Sequence, residues 1–150
     1  RMRHNRDMAW ECPKCRRQFA RSGQGHECSP AMTIDEYFST GPERERPIFD
    51  ALLAHLENLG PVHVEPLSVG VYFKHGETVA TMRPMQRWEA VSFSLPRIVK
   101  HPLMTRKPIS HGGRWFHIVN ITEPDDIDEQ IRDWLTEAYL LQIAQHERLR

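Results

Sequence analysis

The sequence predicts an α+β protein in which a small cysteine-bearing module precedes an antiparallel sheet packed against N- and C-terminal helices. Three observations carry that class. Three cysteines and a histidine crowd into residues 12–28, the apolar period shifts from helical to alternating at Val62, and it returns to helical at Ile127. A length of 150 residues suits one principal core with a small appendage. The composition, 39% hydrophobic and 27% charged, is that of a folded, soluble chain rather than a disordered one. No apolar run approaches the roughly 20 residues a membrane helix needs. Arg1, Arg3 and Arg6 are not followed by the apolar stretch of a secretory signal. A cytoplasmic location without a membrane partner is the resulting expectation.

The first element is a metal knuckle expected over residues 9–30. An odd number of cysteines does not make a disulfide framework, and a chain of this size needs none. Cys12 and Cys15 sit in a Cys-Pro-Lys-Cys turn whose two-residue gap lets both sulfurs converge on one ion, and His26 and Cys28 complete a set of four after a glycine-bearing loop. Three thiolates and one imidazole suit tetrahedral zinc and leave no open position for a catalytic water, so the cofactor is expected to be structural. Phe19 is the aromatic placed to cover the small core. The competing reading, a Cys-x-x-Cys redox pair or free thiols, lacks the strand–helix context such a pair needs. His26 is the weakest ligand by spacing, and His4 is its distant substitute. Lys14, Arg16, Arg17 and Arg21 read as solvated surface able to touch phosphates without reading sequence.

The α+β domain is expected over residues 31–146. Thr33 and Glu36 form a capping box that starts a short helix. After Thr40-Gly41-Pro42, the stripe Ile48, Leu52, Leu56, Leu59 defines a helix over 47–59 that Gly60-Pro61 ends. Alternation then predicts strands over 62–65, 68–74, 78–83, 87–95 and 114–121, with His75-Gly76 and Arg83-Pro84-Met85 short enough for hairpins. The stretch 96–110 reads as a surface connection. Acids at 123–129 lead a last helix whose stripe runs Ile127, Ile131, Trp134, Leu135, Ala138, Leu141. The acids Asp125, Asp126, Asp128 and Glu129 are read as helix-end stabilisers rather than a metal site. Both helices are expected on one face of the sheet, and the knuckle, with a core of its own, is expected to unfold separately from the domain.

Net charge is zero, yet the charges are segregated. Residues 70–120 hold eight basic side chains against two acids, between two blocks that each carry an excess of five acids. Aromatics are interleaved with those cations. If one sheet face packs on the helices, the other is expected to present Lys74, Arg83, Arg87, Trp88 and His117 as a ligand-binding surface, since cations beside flat rings suit a nucleotide or a single strand. Arg83 and Arg87 flank a tight turn, where an anion or a carboxylate is expected between them, with Glu89 as the competing, purely structural candidate. The competing reading makes the aromatics core and the cations guards of sheet edges. His117 as a general base, or His111-Gly112-Gly113 as a mobile loop, would be the starting points for an enzyme. No nucleophile elbow, phosphate loop or nuclease carboxylate set accompanies them, so no catalytic residue is assigned.

The order of features, Trp10 and Cys12-Pro-Lys-Cys15, then Arg17, Phe19, Gln24, His26 and Cys28, a short acid-led helix, Gly60-Pro61-Val62, Arg83-Pro84, His117 and the helix from Asp128 to Tyr139, resembles the bacterial domain-of-unknown-function family 5655 in forms with an N-terminal zinc knuckle. The resemblance implies an α+β domain with a curved antiparallel sheet and no established activity. Arg16 stands where such knuckles carry glycine. The function expected is a non-catalytic, zinc-containing binding protein for nucleic acid or a nucleotide. The alternative is a small-anion binding or adaptor protein with a purely structural zinc.

Overall fold

The computed structural model describes residues 10–148, and in the last helix the side chains through Gln142. Ala9, His4 and the side chains beyond Gln142 lie outside the described residues. The knuckle is a two-stranded ribbon, β1 (Trp10–Glu11) paired antiparallel with β2 (Gln18–Phe19). Then come α1 (Ile34–Phe38) and α2 (Glu45–Glu57). The sheet follows as β3 (His63–Leu67), β4 (Gly70–His75), β5 (Glu77–Pro84), β6 (Glu89–Leu95), β7 (Ile109–His111) and β8 (Arg114–Ile121). A 3-10 turn at Pro124–Asp126 leads into α3 (Glu129–Arg148). The α+β class and the antiparallel meander are as the sequence predicts.

The strand order is β3-β4-β5-β6-β8-β7, with every neighbouring pair antiparallel. Alternation along each strand sorts the two faces. Val71 and Phe73 lie in register with Met82 and Ala80, and these with Val91 and Phe93, then Val119 and His117. That row is buried beneath α2 and α3: Phe49 stacks on Phe73 at 5.6 Å, and Trp134 on Phe93 at 6.1 Å. Tyr72, Lys74, Thr81 and Ser92 belong to the opposite face.

Capping chemistry places the helices. Thr33 Oγ1 accepts the Glu36 N–H at 3.0 Å while Glu36 Oε1 accepts the Thr33 N–H at 2.8 Å, completing the expected box. The acids before α3 also act locally. Asp126 Oδ2 accepts the Thr122 N–H and hydroxyl, both at 2.8 Å, and Asp128 Oδ1 accepts the Ile131 N–H at 2.9 Å. Gly70, at φ 153°, opens β4 where a Cβ would lie 2.6 Å from the Met82 carbonyl oxygen. Only glycine allows β4 and β5 to approach so closely there.

The stretch 96–110 differs from the expectation. It supplies β7, packs Val99, Leu103 and Met104 against the core, and covers the edge of β8 through an Asn120 N–H bond to the Leu103 carbonyl at 2.9 Å. Its prolines masked this in the sequence, because tertiary pairing, not local pattern, makes such a segment ordered. α2 begins two residues ahead of the predicted start, and β6 begins at Glu89, so Trp88 precedes the strand.

Candidate functional site

The knuckle turn is built by two backbone bonds, Arg16 N–H to the Cys12 carbonyl at 2.8 Å and Cys12 N–H to the Arg17 carbonyl at 2.9 Å. Arg16 is held at φ 65°, the left-handed region where a side chain is strained. Arg16→Gly is therefore expected to stabilise the knuckle by about 0.5–1 kcal/mol, read as a higher midpoint for metal release on chelator titration. A loss of stability would show that the Arg16–Glu11 ion pair outweighs the strain.

The turn brings the four expected ligands together. One donor atom from each of Cys12, Cys15, His26 and Cys28 lies within 4.8 Å of the others. Cys12 Sγ and Cys28 Sγ are 3.8 Å apart, and His26 Nε2 lies 3.5 Å from Cys15 Sγ and 3.3 Å from Cys28 Sγ. A tetrahedral ion with metal–sulfur bonds of about 2.3 Å and a metal–nitrogen bond of about 2.0 Å sets sulfur–sulfur edges near ~3.8 Å and sulfur–nitrogen edges near ~3.5 Å. The cluster can thus hold a metal ion. His26 Nδ1 sits 2.7 Å from the Gln24 carbonyl, to which it donates, so its Nε2 lone pair faces the sulfurs. Phe19 stacks on the His26 ring at 4.0 Å, and Trp10 packs beside the pair, edge-on to His26 at 6.0 Å and 6.2 Å from Phe19. The Cys15 and Lys14 N–H groups bring the Cys12 thiol down to about 6. Desolvation and then the neighbouring sulfurs push Cys28 up. Three thiolates at this spacing repel one another unless a cation lies among them.

The knuckle is docked on the sheet face away from the helices. Glu65, fully buried on β3, is the hub: Oε1 accepts from Arg17 Nε at 3.1 Å and pairs with Lys74 Nζ at 3.0 Å, while Oε2 accepts the Gln18 N–H at 2.8 Å and faces His63 Nε2 at 3.1 Å. Burial alone would raise the Glu65 pKa, but the bonds from His63, the Gln18 N–H and Lys74 outweigh it and bring the carboxyl down to about 2. Lys74 also donates to the Gln18 carbonyl at 2.8 Å and lies 4.3 Å from the Phe19 ring centre. Its own pKa is lowered by burial, with Glu65 opposing. Arg17, read from the sequence as solvated surface, is buried in this contact. An acid in the middle of a strand otherwise rich in apolar residues was the available signal, yet nothing local names its partners.

The five residues expected on one open face are not brought together. Arg83 is exposed, with Nη2 3.4 Å from the Tyr72 hydroxyl, and Arg87 is exposed in the β5–β6 turn beside a half-buried Trp88. Lys74 is consumed by Glu65. His117 lies on the helix-covered face, stacked on Phe93 at 5.7 Å, and its Nε2 accepts the Val99 N–H at 3.0 Å. Burial lowers its pKa, so it is a neutral pin for the 96–110 segment. The placement reverses the expectation because the register Phe93↔His117 puts it among the core row. Glu89 does not separate Arg83 from Arg87 either. It is fully buried and accepts from Arg44 Nε at 3.0 Å, while Arg44 Nη2 donates to the Met85 and Trp88 carbonyls. Burial, then the neighbouring Glu45, raise Glu89 to about 8. Its Oε1 receives no donor, which follows if that oxygen carries a proton and donates to Glu45. Glu45 in turn accepts from the Tyr37 hydroxyl at 2.5 Å.

Comparison with known proteins bears on the domain and not on the metal centre. No curated protein and no solved structure matches the chain. The family model described as a domain of unknown function, DUF5655, matches residues 34–142, a span that contains α1, α2 and the whole six-stranded sheet but none of Cys12, Cys15, His26 and Cys28. The chain belongs to the DUF5655 family and carries its Cys/His cluster ahead of the matched domain.

Proposed function

We propose that the protein is a zinc-stabilised binding protein whose ligand is a small polar molecule bearing an anionic group. The metal reading rests on the donor spacing of Cys12, Cys15, His26 and Cys28 and on the softness of three thiolates and an imidazole, which favours zinc over oxygen-seeking cations. With four protein donors the ion orders the knuckle and activates no water. The ligand reading rests on the fate of Lys74. A charge turned inward to Glu65 is not available to a phosphate backbone, and the exposed members of the expected surface reduce to Arg83 and Arg87. Two cations are few for a nucleic-acid groove, whose affinity is built from many phosphate contacts.

Metal analysis of the purified chain is expected to give one zinc per molecule. Chelation, or Cys12→Ser, should release the knuckle and lower the stability of the remaining domain by about 1–3 kcal/mol, because Glu65 then loses Arg17 and the Gln18 N–H. A domain transition unmoved by chelation would show that the docking is energetically silent. For the ligand, titration of a single-stranded oligonucleotide at low salt should show no binding tighter than about 10⁻⁴ M. Tight binding that weakens steeply with salt and with Arg83→Ala would return the reading to nucleic acid.

A further inference from the structure

At one end of the sheet, where β5 and the β7–β8 hairpin meet the later turns of α3, lies a cleft of about 330 Å³, at the small end of the range for ligand pockets. Its lining mixes polar and apolar surface and comes from four strands and a helix: Glu77, Ser94, His111, Arg114 and Gln142 contribute, with the half-exposed Phe116 beside them. Gln142 is 4% exposed, and its Oε1 is buried without a hydrogen-bond partner. A buried amide oxygen left unpaired costs about 1–3 kcal/mol. Gln142 lines the cleft, so a turn of its amide toward a ligand there would give that oxygen the missing donor and remove the cost.

The charges on the lining indicate what that ligand is. Gln142 Oε1 and the Glu77 carboxylate are acceptors and ask for an ammonium group. Arg114, which has contacts of its own, brings positive charge from the hairpin and His111 a ring N–H donor, and both suit a carboxylate. Among the described residues, one acid against one arginine makes the lining formally neutral, so it complements a neutral molecule with separated charges better than a simple anion or cation. We propose that this cleft binds a free α-amino acid, its ammonium on Gln142 and Glu77, its carboxylate toward Arg114 and His111, and its side chain toward Phe116. This inference rests on the small-ligand reading above and assigns it a site.

The test is calorimetric titration of the full, zinc-loaded protein with a panel of free amino acids, alongside N-acetyl and carboxamide derivatives, inorganic phosphate, a mononucleotide and glucose. Saturable binding of at least one free amino acid is expected, weakened at least about tenfold by blocking either its amino or its carboxyl group. Gln142→Met should weaken it by a similar factor without lowering the melting temperature, since it removes an unsatisfied oxygen. Should that variant fail to fold, Glu77→Gln, at a half-buried position at the start of β5, carries the same expectation. Amino acid binding indifferent to both variants would overturn the site while leaving the small-ligand reading in place, as would binding of phosphate or the nucleotide alone. Binding of glucose alone, or of none of the probes at millimolar concentration, would overturn both.

Discussion

Glu65→Ala is expected to lower stability by about 3–5 kcal/mol, because it strips two buried cations of their shared carboxylate. Arg17 and Lys74 both point at Glu65 Oε1, and the Gln18 N–H and His63 lose their acceptor with it. The chain has one escape, which is to undock the knuckle and return Arg17 and Lys74 to water. The variant should therefore show Trp10 in a changed environment by fluorescence while the Cys/His cluster keeps its capacity to hold a metal ion, since Cys12, Cys15, His26 and Cys28 do not touch Glu65. A double variant, Glu65→Leu with Lys74→Met, should recover part of the loss, as apolar replacements of buried ion pairs do. If the single variant unfolded within about 0.5 kcal/mol of the unmodified protein, the Glu65 hub would carry no docking energy.

Stability is also expected to fall as pH rises from the ordinary glutamate value of 4.5 through about 8, with Glu89 as the cause. The sign follows from proton counting. Between those values the folded chain holds a proton on Glu89 that the unfolded chain has released, so raising the pH favours unfolding, at no more than about 1.4 kcal/mol per pH unit. Glu89→Gln keeps a donor for Glu45 and an acceptor for Arg44. It should flatten this limb and exceed the unmodified protein by about 2–4 kcal/mol near pH 8 while matching it near pH 5. Glu65 works in the opposite direction and in another window. Its lowered carboxyl stabilises the fold above 4.5 and loses that contribution as pH falls toward about 2. Urea titrations across pH 4–9 read the Glu89 limb. A stability that rose over pH 5–8, or a Glu89→Gln curve parallel to the unmodified one, would place the proton elsewhere.

Much of the architecture was legible because it depends on local periodicity. The apolar stripe of Ile48, Leu52 and Leu56 and the alternation of Val71 and Phe73 each name an element and its buried side. The metal cluster was legible for a related reason: the two-residue gap between Cys12 and Cys15 fixes where two sulfurs point, whatever surrounds them. The open-face surface was not legible, because alternation tells which residues share a face of one strand and not which strands lie in register. Once His117 is paired with Phe93, it belongs to the core, and Lys74, opposite His63, belongs to the knuckle contact.

By itself, then, the sequence determined the α+β class, the meander, the helix caps and the four-ligand cluster, all of which follow from spacing along the chain. Tertiary structure alone decided what the buried charged and polar residues do. Arg17 meets Glu65 across 48 positions, Arg44 meets Glu89 across 45, and Gln142 reaches a cleft formed by strands that begin with Glu77. A charge carries no periodicity that marks it as buried. Its partner is chosen by which surfaces the apolar pattern presses together, and the cost of leaving a buried charge or amide unpaired then compels the pairing or invites a ligand.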